Sequence, residues 1–470
     1  MMNQYKGTGG TVDATIFKAY DIRGVVDKTL TDDVVYDIGR AIGSEAAAQG
    51  QSKVVVARDG RLSGPGFIAA LSQGLRDVGR DVIDVGCVPT PVLYFATHHL
   101  ETGSGIMVTG SHNPPDYNGF KIMLDGQTLS GDTIQALRHR IEVNDFADGA
   151  DISEGSLEST DLSEIYIDRI VSDIKLARPM KLIVDCGNGV AGEIAPRLLR
   201  RLGCEVVEMF CEIDGHFPNH HPDPSKPENL QDLKNTLDSD GADVGLAFDG
   251  DGDRLGVLDS EGKTIWPDRQ MMMYAVDVIS RNPGADIIFD VKCSSHLERV
   301  IKEKGGVPLM SKTGHSLIKA RMKETGALLA GEMSGHVFFK ERWYGFDDGL
   351  YTAARLLEIL AADARPSHEV FAELPDALST PELNVHFAEG EHFKFMERFS
   401  EQAVLPDADI ILIDGIRANF SDGWGLVRAS NTTPSLVIRF EADSAQSLER
   451  IQTLFRQEML KVQPGLSLPF

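Results

Sequence analysis

Cations are scarce in this 470-residue chain. Lys and Arg number 46 against 71 Asp and Glu, a formal net charge of −25 at pH 7. A surplus of this sign argues against nucleic acid or an anionic membrane surface as partner. It also means that an anionic substrate needs a local basic pocket. Cysteine is sparse too: Cys87, Cys186, Cys204, Cys211 and Cys293 are odd in number and form no Cys-x-x-Cys pair. That excludes a disulfide framework. No run approaches the roughly 18 apolar residues of a membrane span. Met1 to Gly10 hold no apolar signal segment, so a cytoplasmic location is expected.

What is present is a regular alternation of short apolar strands and amphipathic helices, an α/β pattern. Strands are predicted over Lys53–Ala57, Asp81–Val85, Gly105–Thr109 and Phe120–Leu124, with a helix over Gly66–Val78. Phe146 to Thr160 is rich in Asp, Gly, Ser and Glu and reads as a linker. Later breaks fall at Asp259-Ser260-Glu261-Gly262 and at Ala377 to Pro381. The chain divides into four units, 1–157, 158–260, 261–375 and 376–470. The last reads strand-rich, with one clear helix over Ser447–Leu460.

The most informative stretch is Asp249-Gly250-Asp251-Gly252-Asp253-Arg254, which follows the apolar run Val244–Phe248. Glycines permit a tight turn that forces the three carboxylates together. Two carboxylates about 4 Å apart repel by roughly 4 kcal/mol at an effective dielectric near 20. Such a cluster suits Mg²⁺ or Ca²⁺ better than zinc. An EF-hand fails, because its sixth and twelfth positions hold Arg254 and Ser260 rather than Gly and Glu. A haloacid-dehalogenase-type phosphotransferase with Asp249 as nucleophile stays open.

Other loops carry chemistry. Thr109-Gly110-Ser111-His112-Asn113-Pro114 follows the Gly105 strand, at the strand end where α/β proteins gather function. Ser111 is no nucleophile elbow, since Thr109 and Asn113 stand where glycines are needed. His112 and Lys121 could each carry protons or neutralise a phosphate. Gly331-Glu332-Met333-Ser334-Gly335-His336 offers groups suited to sugar hydroxyls. Arg428-Ala429-Ser430-Asn431-Thr432-Thr433-Pro434 matches a phosphate cradle, with Arg forking two oxygens. Lys292, Lys312 and His315 can supply the basic pocket. His216, His220 and His221 read as part of a rigid surface loop. Gly187-Asn188-Gly189-Val190-Ala191-Gly192, between a strand at Lys181–Val184 and a helix at Glu193–Leu202, is a dinucleotide fingerprint with Glu208 downstream. Asp185 just before it would repel a pyrophosphate, so a tight packing turn competes with an NAD-linked reading.

The four loops TGSHNP, DGDGDR, GEMSGH and RASNTTP occur in order, one per unit. Together they resemble the α-D-phosphohexomutase superfamily, in its bacterial phosphomannomutase/phosphoglucomutase branch. The resemblance extends from Phe17-Lys18-Ala19-Tyr20-Asp21-Ile22-Arg23-Gly24 to the C-terminus, and Met333 fits the mannose/glucose branch. It implies three similar mixed α/β domains and a C-terminal α+β, TATA-binding-protein-like domain around a central cleft. It makes Ser111 a phosphoserine, and Asp249, Asp251 and Asp253 the ligands of one Mg²⁺ together with a Ser111 phosphate oxygen. Arg23, His112, Lys121 and Arg254 would serve the transferring phosphate. Tyr20, Lys292, His315 and the Glu332, Met333, Ser334, Gly335, His336 loop would line the sugar site. Arg428, Ala429, Ser430, Asn431, Thr432 and Thr433 would hold the non-reacting phosphate. Hexose phosphates are the implied partners, with glucose 1,6-bisphosphate or mannose 1,6-bisphosphate as activator. A monomer with a hinge near Leu378 is expected.

Overall fold

The computed structural model describes residues 5–147 and 152–470. The strand–helix alternation builds four sheets in chain order. Across the first, strands run Ile22–Val25, Tyr117–Leu124, Gly105–Val108, Lys53–Arg58, Asp81–Cys87 and Leu157–Ser159. The second is ordered Thr264–Ile265, Leu255–Leu258, Val244–Phe248, Lys181–Asp185, Glu205–Met209, and the third Val307–Ser311, Asp286–Asp290, Leu329–Gly331, Val337–Phe339. Their central strands are parallel and covered on both faces, so they read as unbroken apolar runs rather than alternations. Val244–Phe248, for example, is buried at every position. The fourth sheet is antiparallel, and helices Glu391–Gln402 and Ala445–Val462 pack on it.

All four motif loops occupy one topological position. Each is the turn of an antiparallel hairpin: Gly105–Val108 to Tyr117–Leu124, Val244–Phe248 to Leu255–Leu258, Leu329–Gly331 to Val337–Phe339, and Gly423–Ala429 to Ser435–Ala442. A hairpin turn is held at both ends by ladder hydrogen bonds, which makes it a rigid mount for side chains.

The structure differs in detail from several expectations. The stretch 146–160 is not only a linker. Residues 148–151 lie outside the described residues, but Leu157–Ser159 pairs in parallel with Asp81–Cys87 and extends the first sheet. Its three residues are exposed, so no hydrophobic period marks it. The break expected after residue 157 therefore cuts a strand. The break after residue 260 cuts the turn before Thr264–Ile265, which pairs with the second sheet. The helix predicted over Glu193–Leu202 is shorter, Ala195–Arg201, after a 3₁₀ turn at Val190–Gly192. Leu378 is itself strand-paired, to Ala442. Among the described residues no helix is long and apolar enough to cross a membrane.

One apolar core runs through the first three units without a break, including Val55, Phe95, Tyr166, Leu182, Phe248, Tyr274, Phe289, Trp343 and Tyr351. The fourth unit has its own, around Phe395, Phe399, Phe440 and Phe455. It docks on the third through a small cluster of Val291, Trp424 and Leu426. Arg417 seals this contact. Its guanidinium lies 3.9 Å from the Trp424 ring centre, and Nη1 donates to the carbonyls of Val291 (2.6 Å) and Cys293 (2.7 Å). Arg417→Leu leaves both carbonyls without that donor. The expected cost is about 2–4 kcal/mol, seen as a separate early unfolding transition of the fourth unit in denaturant titration. A single unshifted transition would count against this docking role.

Candidate active site

The Ser111 turn is shaped by a residue outside every motif. Arg61 is almost completely buried, and all five side-chain N–H groups bond. Nε donates to Asp59, Nη1 to the carbonyls of Pro114 and Tyr117, and Nη2 to those of Ser111 and Asn113. Asp59 in turn accepts from the Thr109 hydroxyl and the Gly110 amide. This buried pair moulds the loop from inside, and Ser111 is held in the left-handed region at φ +49°.

The aspartate turn meets it face to face. A Cβ at Gly250 would lie 2.3 Å from the Ser111 carbonyl oxygen, so only glycine allows this approach. Gly252 takes φ +75°. Asp249, Asp251 and Asp253 are fully buried, with carboxylate oxygens within 4.8 Å of one another. Ser111 Oγ donates to Asp249 Oδ2 at 3.2 Å and lies 3.2 Å from His112 Nδ1. Lys121 Nζ donates to Asp251 at 2.7 Å and also to Asp253. Arg254 binds both oxygens of Asp249, by its amide (3.1 Å) and Nε (2.9 Å), and reaches Asp223 at 3.4 Å. The Thr90 hydroxyl donates to Asp251 at 2.5 Å. Oδ1 of Asp251 is buried and accepts no hydrogen bond, and Oδ1 of Asp253 has only His336 Nε2 near it, at 3.4 Å. Hard, buried carboxylate oxygens of this kind are the donor set a divalent cation takes. The residues present therefore fit Mg²⁺.

Electrostatics sort the titratable groups. Burial, with Asp253 and Asp251 adding to it, pushes Asp249 up to about 7. Burial opposes the charge on Lys121, but Asp251 and Asp253 outweigh it and hold the ammonium well above its usual range. His112 is driven well below the usual imidazole value by burial and by Arg254. His315 is driven down by burial, Lys319 and Lys121. For His336 burial is overcome by Asp253 and Glu332, which raise it to about 10. Near neutral pH the site thus holds two neutral imidazoles and one charged one.

The third turn pairs with the aspartate turn between His336 and Arg254, and the fourth reaches the first unit through Asn431 and Tyr20. Glu332 accepts from the Gly314 amide at 2.5 Å, and its other oxygen lies 3.1 Å from His336 Nδ1. The Ser334 hydroxyl is 2.9 Å from the same nitrogen. The Met333 amide donates to Asp290, and Gly335 turns the chain at φ +102°. His315 and His336 stack 5.8 Å apart. Lys292 donates to Glu382 at 3.0 Å. In the fourth turn the Ser430 hydroxyl accepts from the amides of Thr432 and Thr433, next to Ala429 and Arg428. Asn431 donates to the Tyr20 hydroxyl, which donates to the Thr313 carbonyl. Burial pushes the Tyr20 phenol up to about 12. Arg23 is held by Asp21 (2.5 Å) and by Asn113 of the Ser111 turn (2.6 Å). Lys312 is exposed.

The glycine fingerprint is filled by its own surroundings. Asp185 accepts from the Gly187 amide and from His220. A Cβ at Gly187 would lie 3.0 Å from Pro222, and one at Gly189 3.0 Å from Gly250. It is a packing turn behind the aspartate loop.

A serine hydroxyl beside a buried acidic triad is an arrangement suited to metal-assisted phosphoryl transfer. Four phosphoglucomutase/phosphomannomutase family models match the chain consecutively: alpha/beta/alpha domain I over 14–148, domain II over 164–262, domain III over 266–378, and the C-terminal domain over 382–458. The chain is 59% identical over 460 residues to the phosphomannomutase/phosphoglucomutase of Pseudomonas aeruginosa, covering 98% of each chain. It is 57% identical over 448 residues to the phosphoglucomutase of Neisseria gonorrhoeae, covering 95% of this chain and 97% of that one. The crystal structure of a phosphoglucomutase/phosphomannomutase family protein from Burkholderia thailandensis superposes with a TM-score of 0.92 at 56% identity, covering 98% of this chain and 100% of that one. The chain belongs to the phosphoglucomutase/phosphomannomutase family. It is a phosphohexomutase, an isomerase, and neither the aspartyl-phosphotransferase nor the NAD-linked reading has support in these relatives.

Arg61→Met removes five donors and strands buried Asp59. The expected loss is about 3–5 kcal/mol, with accelerated hydrogen exchange confined first to residues 110–117. Unchanged exchange there would show that the turn holds its shape without Arg61.

Proposed function

We propose that Ser111 carries the phosphoryl group in the reversible interconversion of hexose 1- and 6-phosphates, of mannose and of glucose, through a 1,6-bisphosphosugar. The observation that supports this most directly is the approach of Ser111 Oγ to Asp249 across two turns, inside a buried triad in which Asp251 Oδ1 has no partner. Asp249, Asp251 and Asp253 would hold Mg²⁺, with a phosphoryl oxygen on Ser111 as a further ligand. Bound there, the ion supplies Lewis-acid polarisation of the phosphoryl oxygens.

The protein's own groups do the rest. The hexose hydroxyl attacks phosphorus on the Ser111 ester. The P–Oγ bond breaks as the new P–O bond forms; the sugar hydroxyl gives up one proton and Ser111 Oγ takes one up, with His112 Nδ1 3.2 Å from that oxygen. Lys121 is charged and bound to two aspartates, so it suits the holding of negative charge rather than accepting a proton. His112 and His315, both neutral, are the groups able to accept one. Arg23, held by Asn113, stands beside the transferring phosphate. Glu332 and Ser334 orient sugar hydroxyls. Arg428 and the Ser430–Thr433 turn hold the phosphate that does not react, aided by Lys292. The bisphosphate then turns end for end, so that its other phosphate meets Ser111. Either bisphosphate, of glucose or mannose, would recharge an enzyme that has lost its phosphoryl group.

A coupled isomerisation assay on mannose and glucose 1-phosphates, with Mg²⁺ and a trace of bisphosphate, tests this reading. Ser111→Ala is expected to lose turnover by on the order of a thousandfold or more while still binding sugar phosphate. Chelation of divalent cations is expected to abolish activity in the wild type, and Mg²⁺ to restore it. A Ser111→Ala variant with wild-type rate would overturn the assignment.

A further inference from the structure

Arg428 is aimed by a carboxylate outside every motif. Asp414 lies in the turn between the strands Asp409–Ile411 and Ile416–Phe420. The next residue, Gly415, takes φ +75°, and a Cβ there would meet the Val427 carbonyl oxygen at 2.3 Å and Arg428 Cα at 2.7 Å. The turn is therefore pressed flat against the strand that carries Arg428, and no side chain fits between them. From this position one oxygen, Asp414 Oδ2, accepts two hydrogen bonds. One comes from Arg428 Nε at 2.8 Å and the other from the Thr313 amide at 3.1 Å.

Each bond has a consequence. A guanidinium is a rigid planar fork. Anchoring it at Nε fixes the plane and leaves the opposite edge, Nη1 and Nη2, to grip two phosphate oxygens. Neither Nη atom bonds to a protein acceptor among the described residues. The second bond crosses from the fourth unit to the third. Thr313 sits in the loop whose carbonyl accepts from Tyr20, whose hydroxyl donates to Asp290, and whose next amide, of Gly314, donates to Glu332. A single carboxylate oxygen thus joins the phosphate cradle to the loop that supports the sugar-binding glutamate.

We propose that Asp414 is a positioning residue: it orients Arg428 for the non-reacting phosphate and, through the Thr313 amide, sets that orientation only when the fourth unit is seated on the third. The proposal rests on the reading that Arg428 binds substrate phosphate. Preorganisation of this kind lowers the entropy lost on binding and makes affinity, more than the chemical step, sensitive to its removal.

The test is steady-state kinetics of Asp414→Ala, Asp414→Asn, Arg428→Ala and the Asp414→Ala/Arg428→Ala pair, with saturating Mg²⁺ and bisphosphate. Asp414→Ala is expected to raise KM for hexose 1-phosphate about tenfold with a much smaller change in kcat. Asp414→Asn keeps an acceptor oxygen and should recover most of this, with a rise of about threefold. In the Arg428→Ala background, replacing Asp414 should change KM hardly at all, because the group it orients is gone. Equal KM values in wild type and Asp414→Ala, or effects of the two substitutions that simply multiply, would overturn the proposal. If Arg428→Ala leaves KM unchanged, the cradle reading itself fails, a result distinct from the other two. Should Asp414→Ala not fold, Asp414→Asn alone and paired with Arg428→Ala runs the same cycle.

Discussion

Three fully buried aspartates, their oxygens within 4.8 Å of one another, are the arrangement on which the rest of the molecule depends. Burial penalises each charge, and mutual repulsion adds roughly 4 kcal/mol per close pair at an effective dielectric near 20. Lys121 and Arg254 supply two positive charges against three negative ones. These two leave one negative charge in excess, and burial together with Asp253 and Asp251 raises Asp249 to about 7. A phosphorylated Ser111 adds a further ~1.5 to 2 negative charges. A divalent cation fits that surplus. The cluster thus explains why a lysine is buried in the strand Tyr117–Leu124, why glycine alone serves at position 250, and why a strongly acidic protein can handle a phosphate.

The architecture repeats one mechanical solution. A hairpin turn at the end of a central strand is fixed by ladders on both sides, and the chain uses that position four times. The serine turn and the aspartate turn are pressed together within the continuous core of the first three units. The sugar-type turn is bridged to the aspartate turn between Arg254 and His336. The cradle turn stands on a separate core. On the function proposed above, a rigid reaction centre and an independently packed phosphate holder suit an intermediate that must be accepted in two reversed orientations.

The sequence announced the parts of the site that work through their own side chains. DGDGDR demanded a cation because its spacing crowds three carboxylates, and TGSHNP and RASNTTP sat at strand ends rich in donors. Strands such as Lys53–Arg58 and Gly105–Val108 were legible because burial on both faces leaves unbroken apolar runs. What stayed hidden acts through the backbone or across long stretches of chain. Arg61 grips carbonyls, which leave no trace in residue identity, although its place just after a central strand was a usable signal. Asp414 meets Thr313 only after two units dock. Leu157–Ser159 joins a sheet edge with exposed side chains, so periodicity could not reveal it. The glycine fingerprint at 187–192 misled because close packing and dinucleotide binding call for the same small residues.

The most direct measurement is the location and chemistry of covalent phosphate. The protein is incubated with glucose 1,6-bisphosphate and Mg²⁺, digested and mapped by mass spectrometry with and without hydroxylamine. The account predicts one phosphoryl group on Ser111, stable to hydroxylamine and lost on adding glucose 1-phosphate. A hydroxylamine-labile group on Asp249, or turnover with no covalent phosphate at any residue, would contradict it.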